Sequence, residues 1–176
     1  MDRIAELDGE LSRIFSNFEA LADELEFERV CELSEDAEVD KQDYAGIYKI
    51  DIRVTGKHET FESWAEWFCA EWVRPEYKMG FVPNPRAGRL KAHTELGEWV
   101  PIYIGKASSI AGRIRQHLNY KLSQPTTALK IRERKNMAAH RFRLSTIKLE
   151  VENYDLIMPR IESALRDKYN PILGRQ

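Results

Sequence analysis

Apolar residues at Ile4, Leu7, Leu11, Ile14, Phe18, Leu21 and Leu25 alternate steps of three and four, which lays all seven on one helical stripe. The stripe lasts more than three heptads, so it suits either a coiled-coil dimer or a helix packed on its own domain. Residues 32–43, ELSEDAEVDKQD, are acidic and poor in large apolar groups, and read as a linker. From 44 the period changes to two: YAGIYKIDIRV (44–54) alternates as a strand, with Gly46 near its start. TGKHE makes a turn, and TFESWAEWFCAEWV (60–73) returns to helical spacing through Phe61, Trp64, Phe68 and Trp72. Glu62, Glu66 and Glu71 intersperse these aromatics, so a buried amphipathic face is favoured over base stacking.

Pro75 ends that helix, and 74–98 holds Gly80, Pro83, Pro85, Gly88 and Gly97 among Arg74, Lys78, Arg86, Arg89, Lys91 and His93. This reads as a long basic loop or irregular hairpin. PIYIGKASSIAGRIRQHL (101–118) then reads as strand, turn and helix, broken at Gly105, with Ser108 or Ser109 as N-cap. A short helix is expected from Thr126 or Thr127, a strand over 141–151, and a last helix over 157–168. Pro159 falls in the first turn of that last helix and Asn170-Pro171 ends it. Helices and strands mixed in this order predict a small α/β sandwich, a short mixed or antiparallel sheet flanked by helices, with an N-terminal helical arm.

The 176 residues suffice for one domain with an appended arm. We expect residues 1–43 to form the arm and linker and 44–176 the domain, interrupted by an insertion at about 52–98. A formal net charge of -2 conceals a polarised chain. Residues 1–45 carry 15 acidic and 4 basic side chains, whereas 101–150 carry 11 basic and 2 acidic ones. One basic face is enough to bind a polyanion, so the mean charge does not argue against nucleic acid. No apolar run has the length of a membrane span, and MDRIAELDGEL lacks a signal-peptide core, so a cytoplasmic, membrane-free protein is expected. Cys31 and Cys69 have no CxxC spacing and are expected to be idle thiols.

Two tyrosines sit in matched strand contexts, Gly46-Ile47-Tyr48 and Tyr103-Ile104-Gly105. Arg113 follows Tyr103 by ten residues, and His117 stands one helical turn further on the same face. Glu162 lies in the final helix. This ordered set resembles the GIY-YIG nuclease superfamily: both signature tripeptides are intact, YIGKASSIAGRIRQH has similar spacing, and IESALRDKYNP resembles the family's closing helix. The resemblance covers about 44–176. Two departures stand out, the long gap between the tripeptides and Gly174 where the family's tail carries an asparagine; Asn170 instead precedes Pro171.

The resemblance implies hydrolysis of a nucleic-acid phosphodiester in double-stranded DNA. It makes Glu162 the ligand of one Mg²⁺ or Mn²⁺ ion per site, Tyr48 the general base or water-positioning group, and Tyr103 its assistant or a phosphate contact. A phenol titrates near 10, so it needs help at neutral pH. His117 is expected to accept its hydrogen bond, with nearby cations favouring the phenolate. Arg113 offers a planar fork to the scissile phosphate and Lys106 a point charge. Arg115, Lys121, Lys130, Arg132, Arg134, Lys135, Arg141 and Arg143 are expected to hold the DNA backbone, and Arg86, Arg89, Lys91 and His93 to read base edges. The leading expectation is a type II-like restriction endonuclease, dimerised through the N-terminal helix to cut two strands. A structure-specific or repair nuclease, a catalytically silent nucleic-acid-binding module and an interaction scaffold are the alternatives.

Overall fold

The alternating segment around Tyr48 becomes strand β2 (Gly46–Arg53), hydrogen-bonded to a neighbour on each side. The computed structural model describes residues 2–34, 37–78 and 80–174. Glu35 and Asp36 of the expected linker and Met79 of the insertion lie outside these. Helix α1 (Asp2–Leu21) leads into β1 (Glu28–Glu32); β4 (Trp99–Ala107) and β5 (Phe142–Lys148) complete an antiparallel sheet in the order β1-β5-β2-β4. The chain is therefore a mixed α/β fold with β4 at one edge.

Because strand side chains alternate, β2 feeds two cores. Tyr48, Ile50 and Ile52 point into one, with Trp64, Phe68 and Trp72 of α2 (Phe61–Trp72) and Ile110, Ile114 and Leu118 of α4 (Ile110–Asn119). In sequence, α3 (Ala87–Lys91) falls between these two helices. Ile47 points the other way, to Ile104, Ile147 and the Met158, Ile161 and Leu165 ridge of α5 (Tyr154–Tyr169). Helices cover both faces. The α2 aromatics are core, as expected: Trp64 stacks on Phe68 with ring centres 5.2 Å apart, and Phe68 on Trp72 at 5.4 Å. Each such pair adds about 0.5–1.5 kcal/mol beyond the area it buries.

Side-chain caps start both helices of this face. Thr60 accepts from the Ser63 N–H, and Ser109 from the Gly112 N–H. The stripe on α1 divides. Phe18, Ala22 and Leu25 pack toward α5, while Ile4, Leu7, Leu11 and Ile14 stay exposed. Among the described residues no helix is long and apolar enough to cross a membrane. Cys31 and Cys69 are free thiols whose partial burial pushes their pKa up.

Four local expectations change. Leu33 and Val39 of the expected linker are buried, and the Leu33 N–H bonds Phe142 O at 2.8 Å, so this stretch extends the sheet and the core. The helix expected from Thr126 or Thr127 is replaced by two 3₁₀ turns, Ile131–Glu133 and Lys135–Met137. Lys130 stands in left-handed backbone there (φ 55°), which a right-handed helix cannot absorb. Helix α5 begins at Tyr154, with the Leu156 and Ile157 N–H groups on Asn153 O, so Pro159 lies within the helix and not in its first turn. Gly105 does not break a strand: β4 runs through it to Ala107, and no described glycine has positive φ.

Lys130 and Arg134, both expected on DNA, are fully buried. The Lys130 ammonium donates to Leu122 O and Gln124 O at 2.9 and 2.7 Å. Arg134 donates to Leu129 O and Trp72 O at 3.1 and 2.9 Å, with its guanidinium 3.7 Å from a Trp72 ring centre; burial lowers its pKa to about 10. These cations close loop carbonyls inside the fold and do not face a polyanion. Arg134→Ala should lower stability in urea by about 3 kcal/mol, because carbonyls and a cavity are left unsatisfied. Arg115→Ala at the exposed Asp40 pair should change it by less than about 1 kcal/mol.

Candidate active site

One strand irregularity puts both tyrosines on one side of the sheet. Ile50 pairs with Tyr103 but Asp51 pairs with Pro101, so Ile102 is an extra residue in β4. This bulge reverses the alternation of β4: Val100 and Ile102 face the α2 core, and Tyr103 follows on that same face. Tyr103 then stacks beside Tyr48, ring centres 6.1 Å apart. Gly105 sits directly opposite Tyr48, and a Cβ there would lie 2.7 Å from Tyr48 Cζ. The glycine is needed for the space the phenol occupies, not for a turn.

The Tyr48 oxygen is 2.9 Å from His117 Nε2 and 3.3 Å from Arg113 Nε. Main-chain Leu129 N–H donates to His117 Nδ1 at 3.0 Å. A backbone N–H only donates, so Nδ1 is unprotonated and the neutral ring carries its hydrogen on Nε2. His117 therefore donates to Tyr48, the reverse of the expected direction, and Arg113 donates as well. Tyr48 receives two N–H donors and turns its own proton toward the cavity it lines. Burial, then the neighbouring Tyr103, pushes the Tyr48 pKa well above the ordinary phenol, although Arg113 opposes this. Burial and the Arg113 charge hold His117 well below the ordinary imidazole. The resting pair is neutral.

Edge strand β4 lets groups from both faces converge. Tyr48, Tyr103 and Arg113 arrive from the α4 side; Lys106, Glu162 and Arg166 arrive from the α5 side. All six, with Ile104, Gly105 and Gly174, line one cavity of about 310 Å³. The structure thus brings together the expected Tyr48, Tyr103, Lys106, Arg113 and Glu162, with His117 behind them. Burial raises the Glu162 pKa, against the cations Arg166, Lys106 and Arg113. The Arg113 fork is largely engaged: besides Tyr48, it donates to Gln116 Oε1 and Thr127 O, each at 2.5 Å. It holds a charge beside the phenol.

Arg166 was not among the residues singled out from sequence, yet it stands one turn from Glu162 on α5. The i, i+4 spacing that flagged Arg113 and His117 also marks this pair. Among the described residues no group of three or more His, Cys, Asp or Glu is set to enclose a metal ion, and Glu162 is the one carboxylate of the cavity lining. Mg²⁺ or Mn²⁺ keeps several waters and needs only one or two carboxylates plus substrate oxygens. The donor set fits such an ion once an anionic substrate offsets Lys106, Arg113 and Arg166.

The expected DNA contacts fare differently. Arg86 and Arg89 bond the C-terminal segment, donating to Gly174 O and Arg166 O at 3.0 and 2.7 Å. His93 bonds Asn170 O. Arg115 pairs with Asp40, Arg141 with Glu32 and Arg143 with buried Asp51, while Arg132 bonds Asn119 and Ser34. Lys91, Lys121 and Lys135 remain exposed.

Comparison with protein-family models, curated proteins and solved structures gave no match to this chain. The functional reading therefore rests on the site's own chemistry. Buried neutral His117 takes up its proton only on unfolding, so its contribution is full above the ordinary imidazole range and is lost as pH falls. Below about pH 6.5 this one group should cost up to ~1.4 kcal/mol of stability per pH unit. Urea unfolding at several pH values should show that much slope removed in His117→Gln; equal slopes would contradict a neutral buried imidazole.

Proposed function

We propose that this chain is a GIY-YIG-type, divalent-metal-dependent DNA endonuclease of restriction type. The observation that carries the reading is the convergence of Tyr48, Tyr103, Lys106, Arg113 and Glu162, from four separate elements, on one cavity at a sheet edge. Phosphodiester hydrolysis needs a positioned water, cationic relief of the phosphorane-like transition state and help for the leaving oxygen. Lys106, Arg113 and Arg166 concentrate positive charge where the phosphate would sit. Tyr48 first loses its proton to solvent through the open cavity, the phenolate being stabilised by the donors His117 and Arg113, and then takes a proton from the attacking water. Glu162 would hold the Mg²⁺ or Mn²⁺ ion, which supplies Lewis-acid stabilisation of charge at the phosphate.

Cutting both strands of a duplex with one such cavity calls for a second copy. Exposed Ile4, Leu7, Leu11 and Ile14 keep strict heptad spacing on α1, the seam of a two-helix coiled coil. In a parallel pair this register brings Arg3 of one copy toward Asp8 of the other, at complementary flanking positions. The occupant of the stripe is therefore a second copy of this chain.

Supercoiled plasmid incubated with Mg²⁺ should yield discrete linear fragments, and sedimentation should give a dimer. Glu162→Gln and Tyr48→Phe should each reduce cleavage by about 10²-fold or more. Leu7→Asp with Leu11→Asp should yield a monomer that nicks without linearising. Metal-independent cleavage, or full activity in Glu162→Gln, would overturn the assignment; selective cutting of branched DNA would point to a structure-specific nuclease instead.

A further inference from the structure

The basic insertion sits against the closing helix. Arg89 on α3 reaches the last turn of α5 and meets three acceptors: Arg166 O at 2.7 Å, Asn170 Oδ1 at 3.0 Å and the Asp167 carboxylate at 2.5 Å. His93 donates to Asn170 O at 2.8 Å while its ring stacks on Phe61 of α2. Arg86 secures the residues just beyond the helix: its main-chain N–H bonds Ile172 O at 2.9 Å and its Nε bonds Gly174 O at 3.0 Å. Strand β3 (Asn84–Pro85) pairs antiparallel with β6 (Leu173–Gly174). The near end is anchored too, by Trp72 Nε1 donating to Pro83 O at 2.8 Å.

We infer that the insertion braces the active site, with Arg89 as a positioning residue for Arg166 and Glu162. This rests on reading the cavity as catalytic. The last turn of a helix carries its negative dipole end, so a guanidinium is favourable there, and Arg89 adds a second donor to Arg166 O, which also accepts the closing N–H of Asn170. Asn170 closes α5 in left-handed backbone (φ 48°), and its side chain and carbonyl are both held by the insertion. Two cavity residues, Arg166 and Gly174, belong to the segment gripped in this way and a third, Glu162, stands one helical turn before it, whereas no residue of 84–93 lines the cavity itself. The insertion acts through the wall of the site.

Arg89→Ala should lower turnover on supercoiled plasmid by about 10-fold, since small displacements of catalytic groups are costly. Affinity for linear plasmid without metal should stay within about twofold, the cleaved sites should not change, and Arg89→Lys should recover part of the loss. Asn170→Gly keeps the left-handed cap but removes one Arg89 acceptor, so it tests the brace if Arg89→Ala does not fold; a loss of about threefold is expected. Unchanged turnover, or weaker binding with altered sites at constant turnover, overturns the brace. Amide exchange gives a reading independent of cleavage: residues 166–174 should exchange faster in Arg89→Ala while β2 and β4 do not. Faster exchange in a protein that cuts nothing supports the brace and removes the nuclease reading; an unaltered profile removes the brace.

Discussion

One main-chain hydrogen bond, from Leu129 N–H to His117 Nδ1, sets the polarity of the whole site. It decides the imidazole tautomer, which decides that Tyr48 is an acceptor from the protein and a donor toward the cavity. The loop that supplies Leu129 is itself closed from inside by Lys130 and Arg134. Two cations that look like DNA contacts in the sequence thus hold the segment on which the phenol's orientation depends.

The other constraint is the sheet edge. A cavity open to residues of both faces requires the edge of a sheet, and β4 is that edge, met on its outer side by the C-terminal segment through Ile172 N–H to Pro101 O. The bulge at Ile102 turns Tyr103 toward Tyr48, and Gly105 makes room for the ring. Helices on opposite faces then deliver Arg113 and Glu162 past the same edge. Local chain geometry, more than any single side chain, assembles the group.

Long periodic segments were legible in the sequence: β2, α2, α4 and β5 lie close to where periodicity puts them, and the aromatic face of α2 is core. What was not legible depended on contacts distant along the chain. Strand β1 is short and lacks clean alternation, and only its pairing with β5 defines it. The turns near 131–137 follow from a left-handed Lys130 whose ammonium is captured by carbonyls six and eight residues earlier. Site residues were found by order and spacing, but their hydrogen-bond direction was not, because Leu129 gives no signal of its role. Charge counting misled most. It treated Arg86, Arg89, Lys130 and Arg134 as surface cations, whereas each is used to satisfy backbone carbonyls or a neighbouring side chain.

Everything proposed for the cavity depends on Tyr48 being held by two N–H donors and presenting its proton to the open side. Long-range proton–nitrogen correlation on ¹⁵N-labelled protein, with His117 assigned by substitution, reads the tautomer directly. An unprotonated Nδ1 and a protonated Nε2 are predicted throughout the range of about pH 5 to 8 in which an ordinary histidine changes charge. A protonated Nδ1, or an imidazolium forming near pH 6.5, would contradict that arrangement.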